Sequence, residues 1–300
     1  MPCYSPINAY KILGRKNKNG KDLIVFTVPS SDFSALQVPC GRCIGCRLEY
    51  SRQWAVRMMH EASLHERNVF VTATFSPVHL PGDLSLDGRC SELFLKRLRK
   101  SVGSFRYFGC GEYGDANLRP HYHYCFFGLD FDDKIRSNLP TQNDKPLYVS
   151  PTLNQAWGFG DCVIGDVTFE SAAYVARYVC KKITGNVDKE WDAYGRLDRD
   201  GNPYRVEPEF VRMSRRPGIG SEWIAKYADE VIRNDGVLSK GELCKSPRFY
   251  DKRIEAQYPD LYEKIKLARL EDVKYHTPAE LERKRNFTLA KRDVFSKRSV

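Results

Sequence analysis

The chain has 300 residues, with 48 Lys+Arg against 38 Asp+Glu and a net charge of +10. Hydrophobic residues make up 42%, enough for a packed core, and no stretch reaches the roughly 18 consecutive apolar residues of a membrane helix, so a membrane partner is not expected. A basic balance of this size points to a polyanionic partner, nucleic acid first, without separating a binder from an enzyme.

The opening MPCYSPINAYKILGRK carries no apolar run ahead of a cleavage site, so secretion is not expected. Ten cysteines in a chain kept inside a cell then argue for metal binding or burial over disulfides. Residues 1–45 are rich in Pro, Gly, Asn and Cys and hold one predicted strand, DLIVFTV at 22–28. From Arg47 to about Arg67 the run lacks Gly and Pro and predicts a helix, with Leu48, Ala55, Met58, Met59 and Ala62 at helical spacing. NVFVTATF (68–75) is β-branched and aromatic, a strand by propensity.

SELFLKRLRKSV (91–102) puts Leu95, Leu98 and Val102 on one helical face. FRYFGCGEY (105–113) and HYHYCFFG (121–128), joined by a short loop, predict a hairpin. A stretch punctuated by Pro and Gly (140–166) precedes a predicted helix at 168–183, with Thr168 and Ser171 as capping residues. Residues 195–210 are polar and read as loop, 221–233 as helix, and 283–298, with seven basic residues and one acid, as a solvated or disordered tail. No repeat is present. The chain thus divides into a Cys-rich segment with its helix (1–66), a core (67–185) and a basic C-terminal extension (186–300). The β-α-β-β…α order of the core predicts an α+β fold, an antiparallel sheet flanked by helices.

The richest chemistry lies in RPHYHYCFFG. On a strand, residues two apart share a face, so His121 and His123 point one way while Tyr122 and Tyr124 point the other. Two imidazoles about 7 Å apart along a strand hold one ion only with a third ligand, and the hairpin brings Glu112 near them. Such a set, with open positions, can take Mg²⁺ or Mn²⁺ and still admit a phosphate oxygen. Two hydrogen-bonded histidines on a half-buried strand are the plainer alternative. On the 168–183 helix, Tyr174 and Tyr178 share a face, with Arg177 and Lys181 three residues after each. A phenol titrates near about pH 10, so it attacks a phosphodiester only when the phosphate is polarised and cations stand by. Packing of both rings against the sheet is the alternative.

VTATFSP, GEYGDANLRPHYH and YVARYVCKK together resemble, in order, the three motifs of HUH-type rolling-circle replication initiators. MPCY, the PCGRCIGCR run and MSRRPGIG are similar to the replication initiation proteins of gokushovirus-like microviruses, small circular single-stranded DNA phages. The resemblance covers roughly residues 1–225. It implies that residues 67–185 are an HUH endonuclease core that nicks origin DNA, single-stranded or replicative form, and stays covalently attached. His121 and His123 match the histidine pair of the second motif, Glu112 the third ligand, and Tyr174 and Tyr178 the paired nucleophiles. Arg177 and Lys181 both fit the basic position after a tyrosine. Implied too are a 5′-phosphotyrosine, a 3′-OH extended by a host polymerase, and rejoining into a single-stranded circle in the host bacterial cytoplasm.

Cys40, Cys43 and Cys46 stand at C-x-x-C-x-x-C spacing, and Cys3 offers a fourth thiolate. Four would make a closed structural Zn²⁺ site; an iron–sulfur cluster or plain buried thiols are the alternatives. HEASLH fails as a zinc-protease helix, since His60 and His65 are five apart. GRKNKNGKD misses the nucleotide-binding loop by one residue and ends on Asp22, so unwinding is left to a partner helicase. Arg215 and Arg216, in a Pro-Gly turn, are the best candidates for DNA contact. Two rival functions stay open: an HUH relaxase or transposase of a mobile element, and a non-enzymatic, zinc-containing DNA-binding regulator.

Overall fold

The computed structural model describes residues 3–18, 20–114, 117–139, 145–178, 193–198, 200–273 and 276–297, without the side chains of 178 and 292–297. It divides into two compact units, residues 1–50 with 272–300, and residues 51–271.

In the first unit, β1 (Ile7–Lys16) pairs antiparallel with β2 (Asp22–Val25) on one side and β3 (Phe33–Val38) on the other. Lys11 and Lys16 both reach Asp22, at 2.6 and 2.5 Å. The sequence predicts one strand here and the structure has three. Cross-strand pairing, more than local propensity, sets strands in so polar a segment. The helix α1 (Ile44–Ala62) begins in this unit and its later turns belong to the second.

The second unit is built on a seven-stranded antiparallel sheet. In chain order it contains β4 (Asn68–Thr74), α2 (Gly88–Val102), β5 (Arg106–Tyr113), β6 (Pro120–Phe127), β7 (Ile135–Arg136), β8 (Tyr148–Val149), α3 (Pro151–Trp157), β9 (Cys162–Asp166) and α4 (Phe169–Tyr178). There follow β10 (Gly195–Leu197), β11 (Pro203–Arg205), β12 (Phe210–Met213), α5 (Ser221–Asn234), β13 (Val237–Ser239), β14 (Glu242–Cys244), α6 (Arg248–Gln257) and α7 (Pro259–Glu271). The sheet order is β12-β5-β6-β4-β9-β8-β7, with the predicted hairpin near its centre. An α+β fold with a large antiparallel sheet is thus observed.

Strand alternation sorts the side chains onto two faces. Val69, Val71, Tyr122, Tyr124, Phe126 and Ile164 bury one face against Phe94, Leu95 and Leu98 of α2 and Leu153 and Trp157 of α3. Phe108, Cys110, Cys125 and Phe127 bury the other against Ala55 and Met58 of α1 and Ala172, Val175 and Ala176 of α4. His121 and His123, in step with Cys125 and Phe127, therefore belong to the α4 face. The tyrosines opposite have settled roles: the Tyr122 hydroxyl donates to the Asp87 carbonyl at 3.0 Å and Tyr124 meets Ser91 at 2.9 Å. A third cluster joins Val56 of α1 to Ile224, Val231, Tyr250 and Ile254.

Two expectations are corrected. Residues 195–210 are not all loop: β10 and β11 form a hairpin whose turn is tied by Asp198, which accepts from the Asp200 and Asn202 amides. Local polarity marks the turn and hides the short strands beside it. The basic stretch 283–298 is not an irregular tail either. Its described part lies in the helix α8 (Pro278–Lys297) of the first unit. A reciprocal cap starts that helix, the Thr277 amide donating to Glu280 and the Glu280 amide to Thr277. Charge clusters of this kind disfavour burial, and they leave helix formation open.

Candidate functional site

The site lies on the α4 face of the sheet. Register places Glu112 of β5 directly across from His121 of β6, and Thr72 of β4 across from His123. The fourth wall is α4, which starts on the predicted cap: the Thr168 amide donates to Ser171 Oγ and the Ser171 amide to Thr168 Oγ1, at 2.8 and 3.2 Å. Ala172, Val175 and Ala176 bury one stripe of this helix, and the adjoining position 174 turns its ring toward His123, with centroids 5.1 Å apart.

One atom collects the site. Glu112 Oε1 lies 2.7 Å from His121 Nε2 and 2.9 Å from His123 Nε2, and it accepts from the Tyr174 hydroxyl at 2.8 Å. Its other oxygen, Oε2, is buried and finds no hydrogen-bond partner among the described residues. Burial works to raise the Glu112 carboxyl, but the hydrogen bonds from both histidines outweigh it and hold the group at about 2. His123 is nearly sealed, and burial pushes its imidazole below the usual range while Glu112 opposes the shift. His121 is more open, its side chain 17% exposed against 8%, so the site is approached from that side.

The outer partners decide which ring nitrogens can serve as ligands. His121 Nδ1 donates to the Arg119 carbonyl at 3.1 Å, which directs Nε2 inward. His123 Nδ1 meets Thr72 Oγ1 at 2.9 Å, a hydroxyl able to donate or accept and so to follow either tautomer. One ligand atom from each of Glu112, His121 and His123 lies within 4.8 Å of the others. The orphaned Oε2 and the inward nitrogens are what a divalent cation requires of three ligands.

Comparison with known proteins adds to this geometry. The family model for replication-associated protein ORF2/G2P matches residues 68–183, a span holding every residue just described. The chain is 30% identical over 280 residues to replication-associated protein ORF2 of Spiroplasma virus 4, covering 87% of this chain and 82% of that one. The chain belongs to this family. Replication-associated protein VP4 of Bdellovibrio phage phiMH2K is likewise 30% identical over 270 residues, with 87% and 79% covered. Replication-associated protein ORF4 of Chlamydia phage 1 is 28% identical over 221 residues, with 71% and 52% covered. No solved structure matches the chain.

Other candidate residues of this phage replication-associated protein are distributed as follows. Arg177 is exposed in the last described turn of α4. The side chain of Tyr178, and all of Lys181, lie outside the described residues. Arg215 and Arg216 are exposed on the turn after β12. That turn is held from beneath: Pro217 accepts from Arg106, Ile219 accepts from Arg57 at 3.0 and 2.9 Å, and the Gly220 amide donates to Glu61 at 2.6 Å. Gly220, with φ +75°, takes a conformation and a space beside Tyr250 that a Cβ would not fit. Cys3, Cys40, Cys43 and Cys46 gather in the first unit.

Sequence reasoning missed Thr72 and Arg119, which orient the two histidines. The alternation of VTAT was the available signal for Thr72, since it shares a face with whatever position 123 presents. The Arg119 contribution is a backbone carbonyl, invisible to residue type. No helix among the described residues is long and apolar enough to cross a membrane.

Proposed function

We propose that this chain is a replication initiator that nicks phage origin DNA, with the sheet and α4 acting as an HUH endonuclease core. The observation that carries this reading is the Tyr174 hydroxyl, held at 2.8 Å on a buried carboxylate that two histidines share. What marks this tyrosine is that its hydroxyl shares that carboxylate oxygen with two imidazole nitrogens, the place a nucleophile beside a metal would occupy.

Glu112, His121 and His123 would hold the metal, and its two nitrogen donors favour Mn²⁺ over the oxygen-seeking Mg²⁺. Bound there, the ion would polarise a non-bridging phosphate oxygen and offset the charge that grows on it. Glu112, shared between both histidines and the ion, would be a poor acceptor for a phenolic proton, so its part is to aim Tyr174 and keep its charge in the site. The phenol oxygen attacks phosphorus and gives up its proton to solvent, the P–O3′ bond breaks, and the 3′ oxygen takes up a proton from solvent as a free 3′-OH. The product is a 5′-phosphotyrosine.

Arg177 and Lys181 would offset the developing negative charge. Tyr178 would make the second cut after one circuit, and the 3′-OH would then displace the first tyrosine and close the circle. Each step exchanges one phosphoester for another, so no ATP is consumed. Host polymerase and helicase in the bacterial cytoplasm would do the synthesis and unwinding, while Arg215 and Arg216 would meet DNA phosphates from their braced turn.

The test is incubation with circular single-stranded DNA of the cognate phage, with Mn²⁺, Mg²⁺ or EDTA, followed by a denaturing gel. The expected result is a denaturant-resistant adduct that needs metal, forms at lower Mn²⁺ than Mg²⁺, and is absent from the Tyr174→Phe/Tyr178→Phe double variant. DNA binding with no adduct on an origin-bearing substrate would instead favour the non-enzymatic regulator.

A further inference from the structure

We infer that Cys3, Cys40, Cys43 and Cys46 form a closed four-thiolate Zn²⁺ site whose role is to fold the first unit. The four ligand sulfurs lie within 4.8 Å of one another. Cys3 Sγ stands 3.7 Å from Cys40 Sγ and 4.0 Å from Cys43 Sγ. A tetrahedron with zinc–sulfur bonds of about 2.3 Å has sulfur–sulfur edges of about 3.8 Å. A disulfide would need about 2 Å, so the sulfurs are spaced for an ion and not for each other.

The backbone is arranged for thiolates. The Tyr4 amide donates to Cys43 Sγ, the Cys40 amide to Cys3 Sγ and the Cys43 amide to Cys40 Sγ, each at 3.3 Å. Gly41, with φ +72° and open space around it, lets the chain double back between Cys40 and Cys43 so that the last of these bonds forms. Cys46 sits in the first turn of α1, where the helix end offsets negative charge. Without a cation, four such thiols cannot all ionise together.

The need for an ion follows from the sheet the site closes. Of the residues in β1, β2 and β3, only Ala9 and Ile12 are buried, while Ile7, Leu13, Ile24 and Phe33 remain exposed. Three strands with so little buried apolar surface fall below what an unaided core can hold, and a metal joining residue 3 to residues 40–46 supplies the missing constraint. All four ligands are protein atoms, so no position is open for substrate, and the role is structural. The inference is independent of the nicking chemistry.

The experiment uses the full chain, purified from zinc-supplemented medium and dialysed against EDTA at a strength that strips Mg²⁺ and Mn²⁺. Elemental analysis should find one zinc per chain. Titration with an organomercurial in the presence of a colorimetric zinc indicator should release it as four thiols react. Cobalt exchanged into the same protein should give the strong near-ultraviolet absorption of cobalt–thiolate bonds. Release should also speed proteolysis within residues 1–50 at least tenfold, with 51–271 persisting as a resistant fragment. Cys43→Ser should retain less than one-tenth of the zinc, and Cys244→Ser all of it. Folded wild-type protein without zinc, in which these four thiols react at once and proteolysis is unchanged, would overturn the proposal. Iron with acid-labile sulfide would overturn it equally.

Discussion

Glu112 is the residue that gathers the second unit's candidate site, because a single buried oxygen meets both histidines of β6 and the Tyr174 hydroxyl of α4 at once. His60 makes the opposite case. It belonged to a failed metalloprotease pattern, and it is a core residue, stacked on Trp223 at 3.6 Å and bonded to the Tyr250 hydroxyl at 3.1 Å. Burial pulls its imidazole down to about 4. A depressed value means that the unfolded chain binds the proton first. The stability His60 contributes is therefore complete above about pH 6.5 and is lost as pH falls toward 4. Urea unfolding at pH 7 and pH 5 should show a loss of about 2 kcal/mol from this group, and His60→Phe should flatten the pH dependence by that amount. An unchanged slope in the variant would show that His60 does not carry it. Both histidine roles were open from residue type alone; a strand partner two positions away separated them for His121 and His123, and nothing local did so for His60.

At the scale of elements, α1, β5 and the turn after β12 lock together. Glu61 of α1, almost fully buried, holds Arg106 of β5 and the Gly220 amide, and Arg106 in turn holds the Pro217 carbonyl. Removing one partner of a buried pair strands the other charge, at a cost of about 3–5 kcal/mol. Arg106→Met should thus lower the unfolding free energy by about 3 kcal/mol and loosen the 214–220 turn, seen as faster amide exchange at Gly220. A loss below about 1 kcal/mol would mean the pair behaves as a surface contact. The hairpin itself was legible, since alternation over FRYFGCGEY and HYHYCFFG is strong and the loop between them is short. The strands β1, β3, β10 and β11 were not, because they pair within polar segments that carry no clear periodicity of their own.

At the scale of the whole molecule, a net charge of +10 should act through released counterions. Affinity for origin DNA should fall linearly on a log–log plot against salt, and Arg215→Ala/Arg216→Ala should reduce that slope by about 2 while leaving the fold intact. An unchanged slope would place the phosphate contacts elsewhere on the surface. The sequence by itself determined the α+β class, the central hairpin, the shared face of His121 and His123, and the cysteine spacing, because strand and helix periods are local properties of the chain. Only the tertiary structure decided that Tyr174 meets Glu112, that Tyr122 and Tyr124 are consumed by the opposite core, and that Cys3 joins three cysteines some forty residues away. Those contacts depend on how separate elements dock, and docking is set by buried faces and register summed over the whole sheet, which no single window of sequence contains.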